Sequence, residues 1–366
     1  MARVSLYSVP GGDAVLIDRT KRELEHRGVE ARVSVRLDED FHGYDLVHLF
    51  NFGRIQETYY HARRASSAGL PVVLTPLFWN QRDFERRGHY GLRRLVSRFL
   101  STDRIEYAKA LWRFFVNREC NRATAALLAK GYGRAQRETL RTIRHLLPNS
   151  QTEVELFEAL FGPLTFGCTV VPNGIDPEAL SRVGDIKDEY EQFRDCVLCV
   201  ARIDPHKNQV RLARALRGTG LKLVLVGAAP PNHRAYERRL RAQADGNLWL
   251  LPRVSGEDLA QLYLLAKVHV LPSWFDLPGL VSLEAAAAGC NVVVSSRGST
   301  REYFGDYAYY CEPDSEASIR DAVLQAHADP VRPGLREHVL NHFTWAHAAE
   351  RTLEAYQMVL ASRRKG

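Results

Sequence analysis

Two carboxylates and two cations stand at spacings that could do chemistry together. Asp276 and Glu284 have seven residues between them and bracket Pro278-Gly279-Leu280-Val281, while Arg202 precedes Lys207 by five positions. A carboxylate can accept hydrogen bonds from two sugar hydroxyls at once. Arg by its fork and Lys as a point charge can converge on one diphosphate. A helix start at Leu280 would add backbone N–H groups carrying partial positive charge, to which phosphate binds readily, and Gly279 would let the backbone approach it. This set offers phosphate contacts with sugar-reading groups on either side. By position alone the cations could instead be solvated surface charges, and strand, glycine loop and helix recur as tight connections in many nucleotide-binding α/β proteins.

The elements that must position these groups can be read from the apolar pattern. Cys196 to Val200 and Val268 to Leu271 are short apolar runs, each followed by a loop and a helix; the first loop carries Arg202 and Lys207, the second Asp276 and Gly279. Leu221 to Val226, Leu248 to Leu251 and Val292 to Ser295 are further strands, with helices over Tyr236 to Ala244 and Asp258 to Ala266 between them. Strands alternating with helices predict a parallel sheet covered on both faces. The first half opens with a strand over Arg3 to Ser8, a turn at Pro10-Gly11-Gly12-Asp13, a helix over Ala14 to Arg27 capped by Gly28 and a strand over Val29 to Val35. That is a Rossmann-like start without G-x-G-x-x-G, so no dinucleotide cofactor is expected. Strands over Tyr44 to Asn51 and Pro71 to Thr75 follow, and ligands collect at such strand ends. His48, Asn51 and Trp79, with Asn80 beside it, are therefore candidate cleft residues; a core histidine and a packing tryptophan are the alternative.

Composition bounds the rest. A chain of 366 residues with 45% hydrophobic and 25% charged residues reads as a soluble protein of two domains. No apolar run reaches 18 residues and no signal sequence opens the chain, so neither membrane span nor export is expected. The six cysteines are scattered; Cys196-Val-Leu-Cys199 has C-x-x-C spacing but lies in an apolar run, which points to reduced, buried thiols in a cytosolic protein. The net charge of +7 is uneven: residues 81–147 hold fourteen Arg and two Lys against six acids, so the remainder is slightly acidic. Within that segment Leu92 to Leu100 and Ala108 to Phe115 have helical apolar spacing with interleaved arginines and aromatics. Such helices are either a solvated face on packed helices or a contact with an anionic membrane surface. Nucleic acid is not expected, because no binding motif accompanies the arginines.

Several motifs, in order, resemble family 4 of the retaining glycosyltransferases (group 1). Pro272-Ser273, Asp276, Gly279-Leu280, Leu283-Glu284-Ala285 and Gly289-Cys290-Asn291-Val292-Val293 resemble its E-x7-E region; Arg202 to Asn208 looks like its G-R-x-x-x-x-K-N element, and Pro172-Asn173-Gly174-Ile175-Asp176 its P-N-G-[IV]-D signature. The resemblance implies the GT-B fold, two Rossmann-like domains facing a cleft: residues 1–172 for the acceptor, a linker over 173–195, residues 196–342 for the donor and a C-terminal helix over 343–366 crossing back. It implies that Arg202 and Lys207 bind the donor pyrophosphate, that Gly12 and Asn173 lie near it, and that Gly279, Leu280 and Val281 present N–H groups to phosphate. Arg253 and Val254 would contact the base, Glu284 the ribose diol and Asp276 the transferred sugar; Gly11 and Asp13 would border the acceptor. The activity implied is metal-independent transfer of a hexose-type sugar from a UDP-, GDP- or ADP-sugar to a glycan or lipid-linked acceptor, in bacterial cell-surface polysaccharide, lipopolysaccharide or glycolipid synthesis. No cofactor is implied, and the location implied is cytoplasmic, peripheral on the inner face of the membrane. A GT-B epimerase or hydrolase, or a noncatalytic partner subunit, is the alternative. The chain departs from the pattern at Asp276 for Glu, at Ala201 for Gly and after Thr75, where Pro76-Leu77-Phe78-Trp79 lacks the usual histidine.

Overall fold

The computed structural model describes residues 1–7, 11–79, 84, 88, 121–178 and 184–363. The expected basic helices at Leu92 to Leu100 and Ala108 to Phe115, together with Pro10 and Asn80, lie outside the described residues. The rest forms two compact units, one holding the described residues up to 79, 121–173 and 345–363, the other holding 84, 88, 174–178 and 184–344.

In the first unit the described strands β1 (Val47–Phe50), β2 (Val72–Thr75), β3 (His145–Leu146) and β4 (Gly167–Cys168) pair in parallel in that order. Leu49, Val72 and Leu74 pack with Phe52, Ile55 and Tyr59 of the helix Ile55–Ser67 and its approach. The opening helix, Gly12–Glu25, ends two residues before the expected Arg27, with His26 as its C-cap; Gly28, at φ +80°, closes the turn that follows, its N–H bonded to the Glu25 carbonyl. The strands expected on either side of it do not form. Residues 4–7 make a turn, because the Arg3 guanidinium reaches the Ser5 carbonyl at 2.8 Å and the Leu6 N–H bonds the Arg3 carbonyl. Residues 29–35 carry no ladder, and the Ala2 N–H to the Ser34 carbonyl links the two stretches. The last helix, Trp345–Arg363, belongs to this unit, with Arg27 donating to the Ala346 carbonyl.

The second unit has six described parallel strands: β5 (Val197–Val200), β6 (Leu223–Val226), β7 (Leu248–Leu251), β8 (Val268–Leu271), β9 (Asn291–Ser295) and β10 (Tyr309–Cys311), ordered β10-β9-β8-β5-β6-β7. Side chains alternate faces along a strand. Val197, Cys199, Leu223 and Leu225 therefore fall in one core cluster and Leu198, Val200, Val224 and Val226 in another. Both faces are covered, which is why these strands are apolar without alternation. Strand order reverses between β5 and β8, and ligands bind beyond the carboxyl ends of strands at such a switch point.

Candidate functional site

The loops after β5 and β8 leave the sheet at that reversal. Asp204 accepts from the His206 and Lys207 N–H groups at 2.9 and 3.2 Å, folding the first loop into a short turn over Pro205–Lys207. Asn208 then adopts the left-handed region at φ +64°, and its Nδ2 donates to the Pro272 and Pro313 carbonyls at 3.1 and 2.7 Å. One side chain thus ties together the loops after β5, β8 and β10. Trp274, 2% exposed, donates its backbone N–H to the His206 carbonyl, and the guanidinium groups of Arg211 and Arg297 lie over its ring at 5.7 and 5.5 Å.

On this frame Lys207 Nζ sits 2.6 Å from Asp276 Oδ1, with both side chains largely shielded. The shorter Asp in place of Glu reaches the lysine. Asp276 is fixed through its backbone: its carbonyl accepts from the Ser299 N–H at 3.0 Å, and it bridges to Gly298. Gly298 is at φ +96°, and a Cβ there would lie 2.3 Å from the Asp276 carbonyl oxygen, so only glycine fits. Among the described residues Asp276 Oδ2 is buried without a hydrogen-bond partner, as are His206 Nε2, Ser273 Oγ and Ser282 Oγ. Burial, followed by the charge of Lys207, lowers the pKa of His206 to about 4, so the ring beside the lysine is neutral. Gly279 caps the helix Leu280–Ala288 at φ +91°, and the first-turn N–H groups of Leu280 and Val281 have no acceptor within the helix. One turn on, Glu284 Oε2 accepts from the Tyr263 hydroxyl at 3.1 Å. Together these are a cation, an acceptor with an open position and a helix start, at the carboxyl ends of adjacent strands.

The remaining candidates are dispersed. Arg202 is half exposed and faces Asp204 at 3.5 Å. Arg253 is exposed after β7, while Val254 packs against the second core cluster. In the first unit, both ring nitrogens of His48 are engaged inside the protein, Nδ1 with the Tyr356 hydroxyl at 2.7 Å and Nε2 with Thr75 Oγ1 at 2.8 Å. Burial, then the N-terminal ammonium, holds this ring well below its usual pKa. Asn51 Oδ1 accepts from the Arg54 N–H, and Asn173 Oδ1 from Asn149 Nδ2 at 2.6 Å. Gly11 precedes the opening helix and Gly12 begins it, while Asp13 pairs with Arg3 at 2.6 Å; Trp79 is half-buried, four residues past β2. Asp204, Tyr263 and Gly298 were not singled out by the sequence; for Gly298, a glycine three residues past a strand was the available signal.

Residues 187–341 match the family model of the glycosyl transferases group 1. Alpha-maltose-1-phosphate synthase of Mycolicibacterium smegmatis is 30% identical over 220 residues, 52% of this chain and 57% of that protein. D-inositol 3-phosphate glycosyltransferase of Stackebrandtia nassauensis is 31% identical over 237 residues, 58% of this chain and 53% of that protein. The chain thus spans little more than half the length of these curated relatives. Among solved structures, Anabaena HepE in complex with UDP and glucose has a TM-score of 0.67 at 17% identity, covering 95% of this chain and 96% of that one. The fold is GT-B, with a parallel Rossmann-like sheet in each half. Among the described residues no helix is long and apolar enough to cross a membrane.

Proposed function

We propose that this chain, which belongs to the group 1 glycosyltransferases through residues 187–341, moves a hexose-type sugar from a nucleotide-diphosphate sugar to an acceptor hydroxyl with retention at the anomeric carbon. The observation that carries the reading is the convergence of Lys207, Asp276 and the start of Leu280–Ala288 at the strand-order reversal. The donor diphosphate would take Lys207, Arg202 and the N–H groups of Gly279, Leu280 and Val281. As it does, Lys207 would exchange Asp276 for phosphate, freeing the aspartate to accept from hydroxyls of the transferred sugar. Glu284 would hold the ribose diol. Negative charge grows on the departing diphosphate as the glycosidic bond breaks, so cations placed beforehand stabilise the transition state more than the ground state. The departing phosphate would itself receive the acceptor's proton. The relatives' names include phosphorylated sugars and a phosphorylated inositol; the acceptor proposed here is a glycan or lipid-linked hydroxyl, met at the cytoplasmic membrane face.

A thermal-shift screen against UDP, GDP, ADP and their hexose conjugates, with and without chelator, tests the donor site. A ligand at a hundred times its dissociation constant stabilises by about 2.7 kcal/mol. One nucleotide and its sugar should raise the transition, with chelator making no difference because Arg202 and Lys207 supply the countercharge. No shift anywhere on the panel would overturn the reading.

A further inference from the structure

Glu284 does not stand alone. The Tyr263 hydroxyl donates to its Oε2 at 3.1 Å from the helix Gly256–Leu265, which packs beside the helix carrying Glu284. Tyr263 is itself fixed. It is 2% exposed, its ring lies in a core cluster with Leu262, Ala285 and Cys290, and its carbonyl accepts from Cys290 Sγ at 3.1 Å. A ring so held has one place to put its hydroxyl. Burial, then the charge of Glu284, raises the phenol's pKa well above its usual value, so the proton stays on Tyr263 and the carboxylate is the acceptor.

We propose that Tyr263 is a positioning residue for ribose recognition: its buried hydroxyl fixes the Glu284 carboxylate in the orientation that accepts both ribose hydroxyls. The proposal rests on the reading of Glu284 as the ribose contact. A carboxylate has about four acceptor positions, so one bond from Tyr263 does not by itself saturate it. What Tyr263 contributes is direction. Glu284 has three rotatable bonds, and each bond that fixes its carboxylate beforehand lowers the side-chain entropy lost on meeting the ligand.

The test uses whichever of UDP, GDP and ADP binds tightest, and its 2′-deoxy counterpart, titrated calorimetrically into wild type, Tyr263→Phe and Glu284→Gln. Phe keeps the ring and removes the donor. The ratio of ribo to deoxy affinity is read within one protein, so a general loss of stability cancels from it. Wild type should prefer the ribonucleotide, Glu284→Gln should abolish the preference, and Tyr263→Phe should cut it about tenfold, the worth of a hydrogen bond to a charged group. The deoxynucleotide should bind wild type and Tyr263→Phe alike. An unchanged preference in Tyr263→Phe, or equal weakening of both nucleotides, overturns the positioning role while leaving Glu284 in place. A preference that survives Glu284→Gln, or no binding by any of the three nucleotides, overturns the ribose assignment and the proposal with it.

Discussion

The strand ends of the two sheets treat their polar side chains differently. In the first unit His48, within β1, is bonded through both nitrogens and Asn51, just past that strand, caps its own turn; Asp13, in the first turn of the opening helix, is clamped by Arg3. Past β5 and β8 in the second, Lys207 and Asp276 are paired, yet Asp276 Oδ2, His206 Nε2 and Ser273 Oγ are buried with no partner among the described residues. A buried polar atom without a partner costs about 1–3 kcal/mol, so folded proteins keep few of them. Around the Lys207–Asp276 ion pair, at the switch point, the described residues hold several such atoms together. The polar groups at these first-unit positions are engaged within the fold, whereas those around Lys207 and Asp276 keep atoms without a partner among the described residues; His61, away from these strand ends, shows that the first unit holds such atoms too.

The largest effect that can break this contrast is at Lys207. Removing a preplaced group that stabilises developing charge lowers turnover by about 10²–10³-fold. Lys207→Ala should do so per folded molecule; because it leaves the shielded Asp276 carboxylate without its cation, it should lower the urea midpoint as well. Turnover at the wild-type rate would remove the second unit's claim to the chemistry. A smaller effect of opposite kind is expected at His48. His48→Phe breaks two buried hydrogen bonds and strands Thr75 and Tyr356, at a cost of about 1–3 kcal/mol, and should leave turnover per folded molecule unchanged. Lost turnover at intact stability would place His48 in acceptor chemistry and erase the difference between the two units.

How far the sequence showed this depended on where each residue's partners lie. Apolar runs such as Leu223 to Val226 marked strands covered on both faces, and Arg202, Lys207, Asp276 and Gly279 fell in the short loops after them, so local spacing was enough. Alternation misled at Arg3 to Ser8, where the pattern of a strand belongs to a turn that Arg3 holds by its own side chain. Partners far along the chain left no trace. Tyr356 is 308 residues from His48, and only folding shows that the histidine is engaged. Tyr263 read as one more residue on an apolar helix, and Gly298 was passed over, because their contacts with Glu284 and Asp276 cross between elements.

The smallest expected effect separates the units by pH. Burial lowers the pKa of His206 to about 4 and those of His61 and His269 to about 3, from an ordinary 6.5. Each ring is neutral when folded and binds a proton more readily when unfolded. Stability is therefore complete above the unfolded pKa and falls as pH drops below 6.5, continuing until the folded pKa is passed. Each ring withdraws about 1.4 kcal/mol per pH unit once well inside that window. Between pH 6.5 and 5, above the ordinary carboxylate range, urea midpoints of wild type, His206→Phe and His61→Phe should show both variants with shallower slopes. Saturating nucleoside diphosphate then divides them. Its charge beside Lys207 would favour protonated His206, so ligand should flatten the wild-type slope and have less effect in His206→Phe, while leaving the contribution of His61 untouched. Equal flattening in both variants would mean that His206 does not feel the ligand, and the open nitrogen next to Lys207 would then belong to packing, as His61 does.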